Sequence, residues 1–216
     1  MKKYDLIREG KLFRIIALKD FNGVKKGELG GLIEKESNLS QKNECWIHEN
    51  ASVTGNAKVY GNAKVSGNAK VFGYAEVYGS AQVFGYVRVF GYAKVYDNAK
   101  IFGFSEVYGS AQVFENAEVD DNAEVFGNAQ VYGSAQVFGN AQVFDKAKVF
   151  GYAKVFGYAK VYDNAKIFGN AEVYGSAQVF GNAEVYSTAY VSGNALVSGD
   201  ALVFGNALVL NTGFFN

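Results

Sequence analysis

The chain has 216 residues, with 21 basic side chains balanced by 21 acidic ones, one cysteine and no proline. Balanced charge supplies no basic surplus for nucleic acid or anionic lipid, and no acidic surplus to imitate DNA. The lone Cys45 excludes an internal disulfide, and no apolar run reaches signal-peptide or membrane-spanning length, so a cytoplasmic chain with no membrane or nucleic-acid partner is expected.

Residues 1–44 do not repeat. Residues 3–8 and 12–18 read as two strands about Glu9-Gly10, a hairpin, followed by the turn-rich Phe21-Asn22-Gly23 and Gly27-Glu28-Leu29-Gly30-Gly31. Ile33, Leu39 and Ile47 are spaced as an irregular start to an apolar ladder. The segment is expected to cap an open solenoid end, which otherwise exposes a core cross-section and unpaired backbone.

Residues 45–212 repeat one six-residue phrase, typified by Ala57-Lys58-Val59-Tyr60-Gly61-Asn62, 28 times without insertion. Such strict repetition predicts a solenoid in which each unit touches only its neighbours. Within the phrase, small-apolar, charged, β-branched and aromatic residues alternate, which predicts a short strand with Ala57 and Val59 on one face. Gly61-Asn62 predicts a corner, because glycine takes positive φ freely and asparagine tolerates it. The position of Lys58 is Lys, Arg, Glu or Gln in 22 consecutive hexads, so that column faces water and the Ala/Val columns face inward.

Charge stacking bears on coil size. At a spacing of 18 along the Lys58 column, opposite-sign pairs outnumber like-sign pairs six to three. At 12 the count reverses to four against six, and at 24 it is six to two. Two-sided coils are disfavoured, while three- and four-sided coils stay open. The segment 91–103 recurs at 157–169, eleven hexads later. In a three-sided coil the two copies fall on different faces, which argues against a site confined to one side.

The unit Val59-Tyr60-Gly61-Asn62-Ala63-Lys64 resembles the hexapeptide repeat of left-handed parallel β-helix proteins, whose coils are triangular prisms of three hexads. The resemblance implies an all-β, three-sided solenoid of about nine coils, roughly 45 Å long from coil spacing. The implied parts are a cap at 1–44, a solenoid at 45–212 and a short tail at 213–216. Asp20-Phe21, Gly30-Gly31, Asn38-Leu39-Ser40-Gln41 and Cys45-Trp46-Ile47 resemble the start of a group of bacterial and phage hexapeptide-repeat proteins, some of which carry an acyltransferase label. A phage gene is therefore among the expected sources.

Four features compete for function. The resemblance to hexapeptide acyltransferases would make His48, the only histidine, a general base, although the loops that would wrap an acyl donor are missing from every hexad. A zinc site of three histidines is excluded, so no metal or cofactor is expected. Cys45 takes an inward alanine position and reads as a buried structural thiol. The acidic run around Asp120-Asp121 matches no calcium loop.

The aromatic residue after each inward aliphatic, Phe or Tyr in 21 of 27 hexads from Thr54 to Leu210, forms three columns that include Tyr60, Phe72, Tyr78, Phe90, Tyr96 and Tyr108. These columns read as a stacked ladder or as an exposed surface for a protein, a glycan or another copy of the chain. Near the end, Leu196, Leu202 and Leu208 replace the outward charge, and Leu210 replaces the aromatic. With Tyr190, Phe214 and Phe215 they are expected to form a homo-oligomer interface, dimeric or trimeric. The expected role is a non-enzymatic, self-associating structural rod, with an acyltransferase-like enzyme or a glycan-binding rod as alternatives.

Overall fold

The computed structural model describes residues 2–210 and the backbone of Phe214–Phe215. Thr212 and most of the 213–216 tail lie outside the described residues. The fold is all-β and has no α-helix among the described residues. Strand β1 (Tyr4–Glu9) pairs antiparallel with β2 (Leu12–Ala17), forming the hairpin expected about Glu9-Gly10. Strand β2 pairs antiparallel with β3 (Leu29–Ile33).

The change to a solenoid occurs on β3. Short strands β4 (Trp46–Ile47), β5 (Ser52–Val53) and β6 (Lys58–Val59) open three parallel sheets, and β3 pairs parallel with β5. Ile33 thus stacks on Val53, Leu39 bridges to Val59, and Ile47 stacks on Val65. Ile47 and Val65 are separated by three whole hexads, whereas the two earlier pairs are separated by slightly more. The surplus chain between Leu39 and Ile47 is therefore absorbed within one coil. Buried Asn38 stands just before this surplus stretch. Its Nδ2 donates to Ala57 O at 2.8 Å and to Gly55 O at 3.1 Å, and so supplies donors in an irregular stretch of backbone.

From there the register is uniform. Lys58 lies opposite Glu76, Lys64 opposite Gln82, and Lys70 opposite Arg88, always three hexads on. Three hexads therefore close one coil, which decides between the three- and four-sided alternatives. The described residues form sheets of 13, 10 and 9 strands, the largest including the antiparallel cap. Of the opposite-sign pairs at this spacing, Arg88–Glu106, Lys100–Glu118, Lys154–Glu172 and Lys166–Glu184 form ion pairs. They are partly exposed, so each adds at most about 1 kcal/mol. The duplicated segments fall on different faces, since Lys100–Ile101 and Lys166–Ile167 belong to different sheets.

The interior is the two expected columns. The inward Ala and Val or Ile are essentially fully buried as far as Val197, with slight exposure in the last coil, and each buried valine contributes roughly 1.5–3 kcal/mol. Besides Cys45 in the first hexad, the alanine column admits Val87 and Ser105, which follow each other in adjacent coils on one face. Ser105 stays satisfied because its Oγ donates to Phe102 O at 2.7 Å.

Corners show why glycine dominates the fifth position and why acids replace it. Gly61 has φ +69°, and a Cβ there would sit 2.9 Å from the backbone of Gly79 in the next coil. Even so, Asp97, Glu115, Asp121, Asp145, Asp163 and Ser187 occupy equivalent corners at φ between 56° and 64°. The coil-to-coil ladder uses the N–H groups of the second, fourth and sixth positions, as in Lys58, Tyr60 and Asn62. It leaves the fifth-position N–H without a carbonyl partner. The acids supply an acceptor. Glu115 accepts from Gly133 N–H at 2.8 Å, Asp121 from Gly139 at 3.1 Å and Asp163 from Gly181 at 3.1 Å.

Asp163→Gly loses that acceptor but relieves the left-handed backbone, whereas Asp163→Ala loses the acceptor and keeps the strain. The alanine variant is expected to be less stable than the glycine variant by about 1 kcal/mol in urea denaturation. Equal stabilities would show that the corner backbone carries no such strain.

Candidate functional site

The aromatic columns are continuous stacks. Tyr60, Tyr78, Tyr96, Phe114, Tyr132, Phe150, Phe168, Tyr186 and Phe204 form one column, with centroid spacings from 4.7 to 5.4 Å and planes within 11° of parallel. Phe72, Phe90, Tyr108, Phe126, Phe144, Tyr162 and Phe180 form a second. Tyr60, Phe72, Tyr78, Phe90, Tyr96 and Tyr108 are half-buried.

Each ring covers its neighbour's face, leaving mainly edges to solvent. Tyrosine hydroxyls are also engaged. Tyr60 donates to Glu76 at 2.7 Å and Tyr108 to Glu124 at 3.1 Å, each reaching an acid in the next coil. Burial, reinforced by the Glu124 hydrogen bond, pushes the Tyr108 hydroxyl up to about 12. Such stacks are worth about 0.5–1.5 kcal/mol per pair beyond burial, and they stiffen the rod.

The third column is broken. Phe84 stacks on Phe102, and Phe138, Phe156 and Tyr174 stack in sequence, but Asp120 stands between Phe102 and Phe138. An open notch of about 230 Å³ lies there, lined by Phe102, Glu118, Asp120, Gln136, Val137 and Phe138. Asp120 Oδ1 accepts from Asp121 N–H at 2.5 Å.

The most exposed rings occupy a different position. Tyr74, Tyr86, Tyr92, Phe104, Tyr152 and Tyr158 replace the corner asparagine or serine, and Tyr92 is 62% exposed. Tyr74 stacks on Tyr92, and Tyr86 on Phe104, each at 5.0 Å. The first pair borders a groove of about 480 Å³ with Lys35, Asn56, Lys58 and Lys94. The signal was present in the sequence as a departure from Asn or Ser at the sixth position. The more regular fourth-position aromatics obscured it.

The cap places His48 at the head of the broken column. Its ring is half-buried beside a groove of about 450 Å³ lined by Lys64, Ser66, Gln82 and Phe84. No side-chain hydrogen bond orients the imidazole among the described residues. Burial lowers its pKa, with Lys64 adding to the effect and Glu28 and Glu49 opposing it. Cys45 is buried as expected. Lys3 Nζ donates to Cys45 O at 2.8 Å and approaches Cys45 Sγ at 3.2 Å, while Lys3 also lies over the Phe21 ring. Trp46 packs edge-on against Tyr4 and Phe21. These contacts tie the cap to the first coil.

At the other end the apolar belt is exposed. Leu202, Leu208 and Leu210 are 57%, 59% and 55% exposed, with Phe204 and Tyr190 beside them, while Leu196 is half-buried. Phe214–Phe215 forms a strand that extends the largest sheet by pairing Phe214 with Leu196 and Phe215 with Val197. Their side chains lie outside the described residues. No helix of the described residues is long and apolar enough to cross a membrane.

No family model matches the chain. Among curated proteins it is similar to the "Uncharacterized acetyltransferase YdcK" of Escherichia coli K12, with 34% identity over 67 residues that span 24% of this chain. The alignment covers about a fifth, 21%, of that protein's length. Together with the three-sheet solenoid, the similarity agrees with a hexapeptide-repeat protein.

His48 provides a measurable test of the cap. As the only histidine, it should titrate below its ordinary value of 6.5 in a proton NMR titration. Because the folded pKa is lowered, its contribution to stability is present above the unfolded pKa and is lost as pH falls toward the folded one. His48→Gln should remove that component of the acid dependence. Titration at the ordinary value would mean that the ring is solvated rather than packed, and titration above it would mean that Glu28 and Glu49 outweigh burial.

Proposed function

We propose that the chain is a non-enzymatic structural rod that presents a rigid repetitive surface and self-associates, as a dimer or trimer, through its C-terminal coils. The lateral leucine belt is the observation that carries this reading. Along the middle rod the second hexad position is charged or amide-bearing, but it becomes Leu196, Leu202 and Leu208 in three successive hexads. Two of these leucines, with Leu210 and Phe204, stand more than half exposed on successive faces. A contiguous apolar belt on a rod otherwise ringed by charge favours a contact. A second copy presents a matching belt, and closed symmetric assembly would cover both.

A second reading has its own support. The partial similarity to an uncharacterised acetyltransferase and the groove beside His48 favour an acyl-transfer enzyme with His48 as base. Among the described residues no side chain orients the imidazole and no loop is inserted in the solenoid, which weighs against it. Acetyl-coenzyme A turnover that disappears in His48→Ala would establish the enzyme reading.

For the structural rod, light scattering should report a mass of two or more times the 23.4 kDa chain. The Leu202/Leu208/Leu210→Lys variant should fall to monomer mass with unchanged circular dichroism. A wild-type monomer, or an oligomer that survives all three substitutions, would refute self-association through the belt.

A further inference from the structure

We propose that the notch at Asp120 is a binding slot for a planar cation, the guanidinium of an arginine on a partner protein, held between the rings of Phe102 and Phe138. The inference rests on the reading of the rod as an interaction surface, though not on self-association.

The slot follows from the ladder's own geometry. Unbroken columns place a ring in every coil, as for Phe84–Phe102 at 5.1 Å and Phe138–Phe156 at 4.8 Å between centroids. Omitting one ring opens two facing aromatic surfaces about two coil rises apart, roughly 10 Å between centroids. One flat group about a ring thick fits there, and a bulky tetrahedral group fits poorly. The cavity of about 230 Å³ is bounded by both rings and by Asp120.

The charge around the slot selects a cation. Both ring faces are π surfaces that attract positive charge. Glu118 on the wall is already paired with Lys100 at 3.1 Å and also accepts from Gln136 at 3.3 Å. Asp120 has no cation partner among the described residues, and its hydrogen bond to the adjacent Asp121 N–H uses Oδ1, leaving Oδ2 open. Burial, with the negative charges of Asp121 and Glu118 nearby, holds the Asp120 carboxyl above its ordinary value despite that hydrogen bond. A cation entering the slot would relieve this.

Between the two common biological cations, guanidinium is flat, delocalised and weakly hydrated, so it stacks on aromatic faces, whereas ammonium is compact and strongly hydrated. The chain itself shows the contact, since the Arg88 guanidinium lies 5.2 Å from the centre of the Phe90 ring.

The test uses the full-length chain with ring-labelled phenylalanine, titrated with N-acetyl-arginine methylamide and its lysine counterpart. The arginine amide should produce saturable NMR shifts confined to the Phe102 and Phe138 rings, and the lysine amide should bind about fivefold more weakly or worse. Asp120→Phe, which completes the ladder, should remain folded and lose the shifts. Asp120→Asn, which keeps the cavity and removes the charge, should weaken binding about fivefold or more. The proposal is overturned by shifts that persist unchanged in either variant, by equal affinity for the lysine amide, or by no saturable shift in the wild type. The slot lies five coils from Leu210, so monomeric and oligomeric chains give the same expected result. Failure here leaves self-association standing, and failure there leaves the slot standing.

Discussion

In each coil the N–H groups at the second, fourth and sixth hexad positions bond to carbonyls about one coil further along, as Lys58 does to Ala75, Tyr60 to Val77 and Asn62 to Gly79. This parallel ladder places chemically equivalent atoms above one another at about 4.8 Å. Every side chain is then repeated by its successor on the same face. Alanine and valine become continuous buried columns, charged and amide side chains become outward rows in which opposite signs meet at several steps, and rings become stacks. The fifth-position N–H, left out of the ladder, explains why acids enter a corner whose positive φ otherwise suits glycine.

The same repetition decides where a specific site can lie. A stack in which each ring covers the next has little face to offer, so the regular fourth-position aromatics act mainly as structure. Recognition needs an interruption. Asp120 removes one ring from a column, and Tyr74 and Tyr92 place rings at a corner where Asn or Ser is usual. The leucine belt removes charge from one coil. His48 marks the fourth interruption, at the seam where antiparallel cap pairing gives way to parallel stacking.

Much of this architecture was legible in the hexad. Period-two alternation identified Ala57 and Val59 as inward and Lys58 as outward, and Gly61 as a corner, because each follows from local backbone chemistry. Coil size was not legible in the charges alone, because six-to-three and six-to-two counts separate three-sided from four-sided coils too weakly. The strand register, with Lys58 opposite Glu76, settled it at three hexads. The degree of exposure of the aromatics was not legible in the sequence, which left a stacked ladder and an exposed surface both open. Outward direction in a strand does not mean exposure when the ring of the next coil lies flat against the first, a distance effect invisible to local reading. Conversely, Tyr92 occupies a turn position where aromatics look incidental, yet the corner projects it into solvent. The Asp120 notch was visible as a broken pattern, but its meaning depended on knowing which rings lie above and below.

Residue-resolved amide hydrogen exchange tests the ladder most directly. Amides at second, fourth and sixth positions through the middle rod, such as Glu106, Tyr108 and Ser110, should be strongly protected. Fifth-position amides such as Gly109 should exchange rapidly, while Gly133, Gly139 and Gly181, each facing an acid in the preceding coil, should be intermediate. Uniform protection across all six positions, or protection that does not repeat with the hexad, would contradict a solenoid held by this ladder.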